Sequence, residues 1–194
     1  MSTRVFIKGM LGSAILDQTA VAVADNEFDE NLAEISRLMV ETMYENKGVG
    51  LAAPQVGASI RMFVMDVGHA GEHTKGSEYG GGYGSGYLVL VNPKILKVSD
   101  EMAESEEGCL SLPTLNVSVK RPQQVTVEYC DISGKSIVET FHGLVAAIVQ
   151  HEIDHLNGIT ILKHASSLKR SMYNKKIQKA NRRFKEMLRE YTQP

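Results

Sequence analysis

His151-Glu152-Ile153-Asp154-His155 places two imidazoles at i and i+4, with a carboxylate directly after the first. On an α-helix that spacing puts both rings on one face, one turn apart. Two neutral nitrogens so placed bind a divalent metal, and the glutamate handles the proton of a water held beside them. The same stretch is apolar at Leu144, Ala147, Ile148 and Ile153, and Asn157-Gly158 supplies a stop, which predicts a central, buried helix over 142–157. Two ordinary core histidines are the alternative, but they would leave polar rings on an apolar helix with no evident partner.

Outward from that helix the pattern changes period. Val117–Val119 and Val125–Tyr129 alternate as strands do, and Asp131-Ile132-Ser133-Gly134-Lys135 turns the second into Ser136–Phe141 as a hairpin. Arg61–Val67 and Tyr87–Val91 read as buried strands from their branched apolar runs. An amphipathic helix is predicted from Asn26 to Asn46, with Leu32, Ile35, Met39 and Met43 on its apolar face. Gly-Val-Gly-Leu-Ala-Ala-Pro-Gln (48–55) is too rich in small residues for an ordinary strand. Gly68–Gly86 has eight glycines in nineteen residues and leads into no helix, so it reads as a flexible insertion and not a phosphate cradle. A last helix over 166–191 carries Tyr173, Ile177, Ala180, Phe184, Met187 and Tyr191 on one stripe. The fold class is α+β: antiparallel strands packed around a central metal-binding helix, with an N-terminal helix and a C-terminal helix. No repeat or linker divides the chain, so residues 166–194 are expected to be a basic helix belonging to the same domain as residues 1–165.

At 194 residues the chain can bury a core without disulfides, and 43% hydrophobic with 23% charged residues is ordinary for a globular protein. No membrane span or signal-peptide core is visible, and two cysteines make no disulfide framework. The expectation is a reducing cytoplasm, with neither membrane nor DNA as a partner. Charge is unevenly placed. Residues 163–194 hold 10 Lys/Arg against 2 Glu, a local +8; residues 1–162 hold 11 against 21 acidic residues, a local −10. Such asymmetry suggests an interaction tail.

A helix supplies two ligands from this motif, and a catalytic site needs a third from elsewhere. Cys109, Cys130, His69, His73, His142, His164 and the carboxylates are the choices. Cys109 is preferred because Gly108 lets the backbone approach closely there; Cys130 ends an alternating strand as a packed thiol would, and His69 and His73 belong to the insertion.

Gly48-Val49-Gly50-Leu51-Ala52-Ala53-Pro54-Gln55, Glu107-Gly108-Cys109-Leu110-Ser111 and His151-Glu152-Ile153-Asp154-His155-Leu156-Asn157-Gly158 resemble, in order, the three signature motifs of the peptide deformylases. Gly143-Leu144 and Gln150 add to the likeness, which spans about residues 30–165. It implies a metallohydrolase acting on a linear amide: removal of the N-formyl group from formyl-methionine at the start of newly made polypeptides, with release of formate. Three features depart from the family. Phe6–Leu16 lacks a Pro-Asp often found there, the glycine-rich insertion is longer than in many members, and Asn116 stands where many carry a basic residue.

The resemblance implies roles as well. Cys109 (as thiolate), His151 and His155 would hold the metal, Fe²⁺ in the cell, with Zn²⁺, Ni²⁺ or Co²⁺ able to substitute. Glu152 would be the general base and acid, and Gln55 with the Leu110 backbone N–H would stabilise the oxyanion. Val49 and Gly50 would hold the substrate backbone like an added strand, and Val49, Glu107, Leu144 and Ile148, beside Gly108, would form the methionine pocket. Asp154 is assigned a structural role, orienting a ligand or pairing with Arg121. Nascent formyl-methionyl chains are the partner, and the basic C-terminal helix is expected to reach the ribosome, as this terminus does in the family. A zinc endopeptidase would share His151, Glu152 and His155 but leaves residues 48–55 and 107–111 without a purpose. A binding protein of the same ancestry would be expected to have lost a ligand or Glu152, and none is lost.

Overall fold

The computed structural model describes residues 14–66 and 86–192, with backbone alone at 180, 181 and 183–192. Gly68–Gly86 apart from its last residue, His69, His73, most of Phe6–Leu16, and the side chains of Ala180, Phe184, Met187 and Tyr191 lie outside the described residues. In chain order the elements are α1 (Glu30–Glu45), β1 (Gly50–Ala52), β2 (Met62–Met65), β3 (Leu88–Val98), β4 (Met102–Glu107), β5 (Val117–Pro122), β6 (Gln124–Cys130), β7 (Ser136–His142), α2 (Gly143–Leu156), α3 (Ile161–His164) and α4 (Ser167–Thr192).

Five strands form an antiparallel sheet in the order β1-β2-β3-β6-β7, and β4 pairs with β5 in a second, two-stranded sheet. Strand β2 is buried on both faces, and its period of two divides the core. Phe63 and Met65 face α2, packing with Leu90, Phe141, Val145, Val149 and Leu156. Met62 and Val64 face α1, packing with Leu32, Met39 and Met43. A third cluster joins Leu112, Leu115, Val117 and Val119 to Ile161, Leu162 and Tyr173, so α3 and the start of α4 close over the second sheet. Helix α2 thus runs between the sheets, touching β1, β2, β5, β6 and β7.

Several boundaries differ from the sequence expectation, each for a local reason. Helix α1 begins at Glu30 and not at Asn26, because the Asp29 carboxylate accepts the Leu32 N–H and caps the helix there; Asp25–Glu27 make a separate 3-10 turn. Gly50–Ala52 is a strand despite its small residues, pairing Gly50 with Met65 and Ala52 with Phe63. Strand β3 runs past Val91 to Val98 through a register shift at Asn92-Pro93, where Asn92 adopts φ 52° and its side-chain amide holds both backbone groups of Val23. Strand β4 went unread because Met-Ala-Glu-Ser-Glu-Glu is largely exposed and lacks apolar alternation.

Helix α2 ends as the Asn157-Gly158 stop predicts, with Gly158 at φ +70°. A Cβ on Gly158 would stand 2.8 Å from the backbone of Asp17, so both conformation and space demand glycine. Gly158→Ala is therefore expected to destabilise the fold by roughly 1–3 kcal/mol, lowering the melting temperature by about 2–4 °C per kcal/mol. A calorimetric melt within 1 °C of wild type would contradict this account of the helix stop.

Candidate active site

Every residue that the sequence assigned to the site, apart from His155, lines one cavity of about 370 Å³. Val49, Gly50 and Gln55 come from the β1 region, and Glu107, Gly108, Cys109 and Leu110 from the end of β4 and the turn after it. Leu144, Ile148, His151 and Glu152 come from α2. His155 lies deeper, 1% exposed, behind Cys109. Lys47, Gly48, Ser105, Glu106 and Ala147 complete the lining and were not singled out.

One donor atom from each of Cys109, His151 and His155 falls within 4.8 Å of the other two. Cys109 Sγ is 3.2 Å from His155 Nε2, and the two imidazoles stand nearly edge to face with centroids 5.0 Å apart. The rival third donors lie elsewhere. His142 precedes α2 with its Nε2 3.3 Å from Gln124 Nε2, His164 meets Asp154, and Cys130 packs against the core beneath α1. A thiol with two imidazoles is a donor set for a divalent transition metal.

The surroundings fit a cation. His151 Nδ1 is 2.8 Å from Glu107 Oε2, which leaves Nε2 for another partner. Burial opposes a charge on His151, but Cys109, Glu107 and the nearby Glu152 hold its pKa up at about 10. His155 is pushed the other way, down to about 3, by burial and then by the positive His151 and Arg121. The surroundings of His151 thus favour positive charge, which a cation at its free Nε2 would supply in place of a proton, while His155 is held in the neutral form that can offer a lone pair. His155 Nδ1 and Glu152 Oε2 are buried without a hydrogen-bond partner among the described residues, an arrangement that is costly unless a further group answers it.

Arg121, 7% exposed, was noticed in the sequence only as a possible mate of Asp154; its larger role was missed. It does bond Asp154, Nη1 to Oδ2 at 2.9 Å, but its Nε and Nη2 also grip Glu107 at 2.6 and 3.0 Å. Burial would raise the Glu107 carboxyl, yet its bonds to His151 and Arg121 hold it down at about 2. Glu107, read from sequence as a wall of the methionine pocket, lines the cavity while its carboxylate is committed to orienting His151. The signal for this was its place two residues before Cys109, where a carboxylate can reach back to a ligand ring.

Gln55 is 2% exposed, and its Oε1 accepts the Ala52 N–H at 2.7 Å. That bond turns its amide nitrogen toward Ser111 Oγ (3.1 Å) and Cys109 Sγ (3.6 Å). Ser111, wholly buried, was another residue not singled out. Glu152, also buried, has its pKa raised to about 7, chiefly by burial, partly offset by positive His151 and reinforced by negative Glu107. Its carboxylate rests on Gly50: a Cβ there would collide with Glu152 Oε1 and lie 3.0 Å from Cδ.

A Cys/His/His group with a buried carboxylate alongside, at the floor of a cleft lined by an edge strand, is suited to metal-assisted hydrolysis of a small amide. The family model for polypeptide deformylase matches residues 10–171. A peptide deformylase of Agrobacterium fabrum is 46% identical over 153 residues, covering 77% of this chain and 84% of its own. Another, of Desulfotalea psychrophila, is 43% identical over 157 residues, covering 81% and 86%. The crystal structure of peptide deformylase from Ehrlichia chaffeensis matches with a TM-score of 0.79 at 34% identity, over 91% of this chain and 97% of that one. The chain belongs to the peptide deformylase family, metal-dependent hydrolases that remove the N-formyl group from nascent polypeptides. Among the described residues no helix is long and apolar enough to cross a membrane.

The Gly50 contact yields a test. Gly50→Ala should displace the Glu152 carboxylate and, if that carboxylate handles the proton, lower formate release from a formyl-methionyl peptide by about 10²-fold, the low end for loss of a general acid–base. Metal content by elemental analysis should stay near that of the wild type. Unimpaired turnover would show that the close approach is incidental.

Proposed function

We propose that Cys109, His151 and His155 hold the metal, that Glu152 moves the proton, and that Gln55 with the Leu110 N–H stabilises the developing oxyanion. The observation that carries this reading is the convergence of three sequence-distant segments on one cavity, with a donor triplet at its floor and a buried Glu152 whose Oε2 has no hydrogen-bond partner among the described residues. The metal, when bound, supplies Lewis acidity, polarising the attacking water and offsetting negative charge on the formyl oxygen.

Glu152 takes the proton of the attacking water and returns it to the leaving amine. Its burial beside Gly50 and next to His151 supports that role, since a carboxylate kept from bulk water is closer in affinity to its proton partner. Gln55 donates to the formyl oxygen, and the bond from Ala52 N–H to its Oε1 supports this by fixing which end of the amide faces the floor. Fixed donors of this kind contribute roughly 3–4 kcal/mol to the rate. Strand β1 is an edge of its sheet, so Val49 and Gly50 can hold the substrate backbone as an added strand. Val49, Leu144, Ala147 and Ile148 present an apolar wall to the methionine side chain.

Iron(II) is proposed as the metal in the cell, because a mixed thiolate and imidazole set accepts it and the family resemblance favours it. Anaerobically purified protein should contain iron and release formate, then lose activity in air as the ferrous ion and Cys109 oxidise. In that preparation Glu152→Gln should keep its metal while formate release falls by about 10²- to 10⁴-fold. Near-normal turnover by Glu152→Gln would overturn the proton-transfer assignment.

We also propose that the protein works in the cytoplasm and that α4 meets the ribosome. Tyr173 and Ile177 pack inward on the second sheet, while Lys169, Lys175 and Lys179 are exposed. Contacts to phosphates made this way weaken steeply with salt. Reversing Lys169, Lys175 and Lys179 to Glu should abolish co-sedimentation with ribosomes at low salt and spare turnover of a formyl-methionyl tripeptide. Co-sedimentation at the wild-type level would remove this face from the interaction.

A further inference from the structure

Asp154 lies in the middle of the His-Glu-x-x-His motif but faces away from the cavity. Its Oδ2 accepts two hydrogen bonds, from Arg121 Nη1 at 2.9 Å and from His164 Nε2 at 3.1 Å. The other two nitrogens of Arg121 are spent on Glu107, and Glu107 Oε2 meets His151 Nδ1 at 2.8 Å. A continuous line of direct contacts therefore runs from His164, whose side chain is 33% exposed, to the ring of His151, which is 10% exposed. His164 lines no part of the cavity, so the chemistry proposed above has no use for it.

We propose that His164 is a positioning residue for the metal centre, acting on His151 through Asp154, Arg121 and Glu107. The inference rests on the reading of Cys109, His151 and His155 as the metal donors. Arg121 is shared between two carboxylates, so where its fork sits depends on how Asp154 is held. With Arg121 as its sole donor, Asp154 could rotate about its terminal torsion and carry the guanidinium with it. The second donor, His164, fixes the oxygen that Arg121 binds. That sets the fork on Glu107, and Glu107 in turn sets how firmly the Nδ1–H of His151 is held and how basic its Nε2 becomes. His164 is itself held by its surroundings: it is the last residue of α3, and Arg170 of α4 bonds the carbonyls of Leu162, Lys163 and Ala165 around it. The elbow between α3 and α4 is thereby part of what orients the donor ring, some four residues' contacts away.

Cobalt(II)-loaded protein tests this without relying on turnover. His164→Ala should release Co²⁺ to a competing chelator about fivefold faster than wild type, less than the roughly 10- to 100-fold typical of a group bonded directly to a ligand. Its visible d–d bands should shift. His164→Gln, whose amide can still donate to Asp154, should stay within about twofold of wild type in release and keep the wild-type bands. Wild-type release and bands in His164→Ala would overturn the proposal. An equal change in both variants would overturn it too, as would a loss confined to the melting temperature of the metal-free protein. Failure of the deformylase mechanism is separately visible, as wild-type protein that binds Co²⁺ yet yields no formate from a formyl-methionyl peptide.

Discussion

Two imidazoles and two carboxylates cannot leave water together on one stretch of chain unless their charges are answered, because an unpaired buried charge costs several kcal/mol. Here Arg121 answers Asp154 on that stretch and Glu107 beside it. It reaches from β5 across to the end of β4 and to α2, and it is the one cation bonded to both Glu107 and Asp154 among the described residues. The second sheet is therefore more than a lid. Its strand pairing, Glu107 opposite Val117 and Ala103 opposite Arg121, places the fork and the carboxylate on neighbouring strands with a separation that the fork can span. Removing either partner would strand the other beneath the cavity, a larger effect than the pair's own contribution to stability.

The same demand explains why glycine recurs around the site. Glu152 is brought in so far that the backbone of β1 has room for a hydrogen and nothing more at Gly50, and Gly48 is similarly crowded by Leu110 and Met43. Small residues over 48–53 are thus the counterpart of a bulky, charged helix face. Gln55 follows from the same segment, because the 3-10 turn Ala53–Val56 brings its side chain back onto Ala52.

Much of this was legible in the chain and some was not, and the division is physical. A helix announces its own face, so α2, its stop at Gly158 and the packing of Tyr173 could be read from local periodicity. The β6–β7 hairpin could be read because its turn residues are adjacent in sequence. Strand β4 could not, because its pairing to β5 leaves it mostly in water and an acidic exposed strand has no apolar signature. Nor could the course of β3 beyond Val91, since Asn92-Pro93 looks like an ending until the Val23 backbone is there to hold Asn92. The reach of Arg121 depends on strand register, which no local pattern encodes. The triplet of donors could be anticipated from motifs; what steadies them became visible only in three dimensions.

The three donors are spread along the chain, with Cys109 separated from His155 by 46 positions and β5, β6 and β7 lying between. Until residue 155 has been synthesised and α2 has threaded between the sheets, Cys109 stands apart from the two imidazoles that it meets in the folded chain. If these three residues hold the metal as proposed, its loading is a late event in the birth of this protein, tied to completion of nearly its whole topology. On that proposal an unfinished or misfolded copy would lack the gathered triplet, and possession of the ion would mark a molecule that has been assembled.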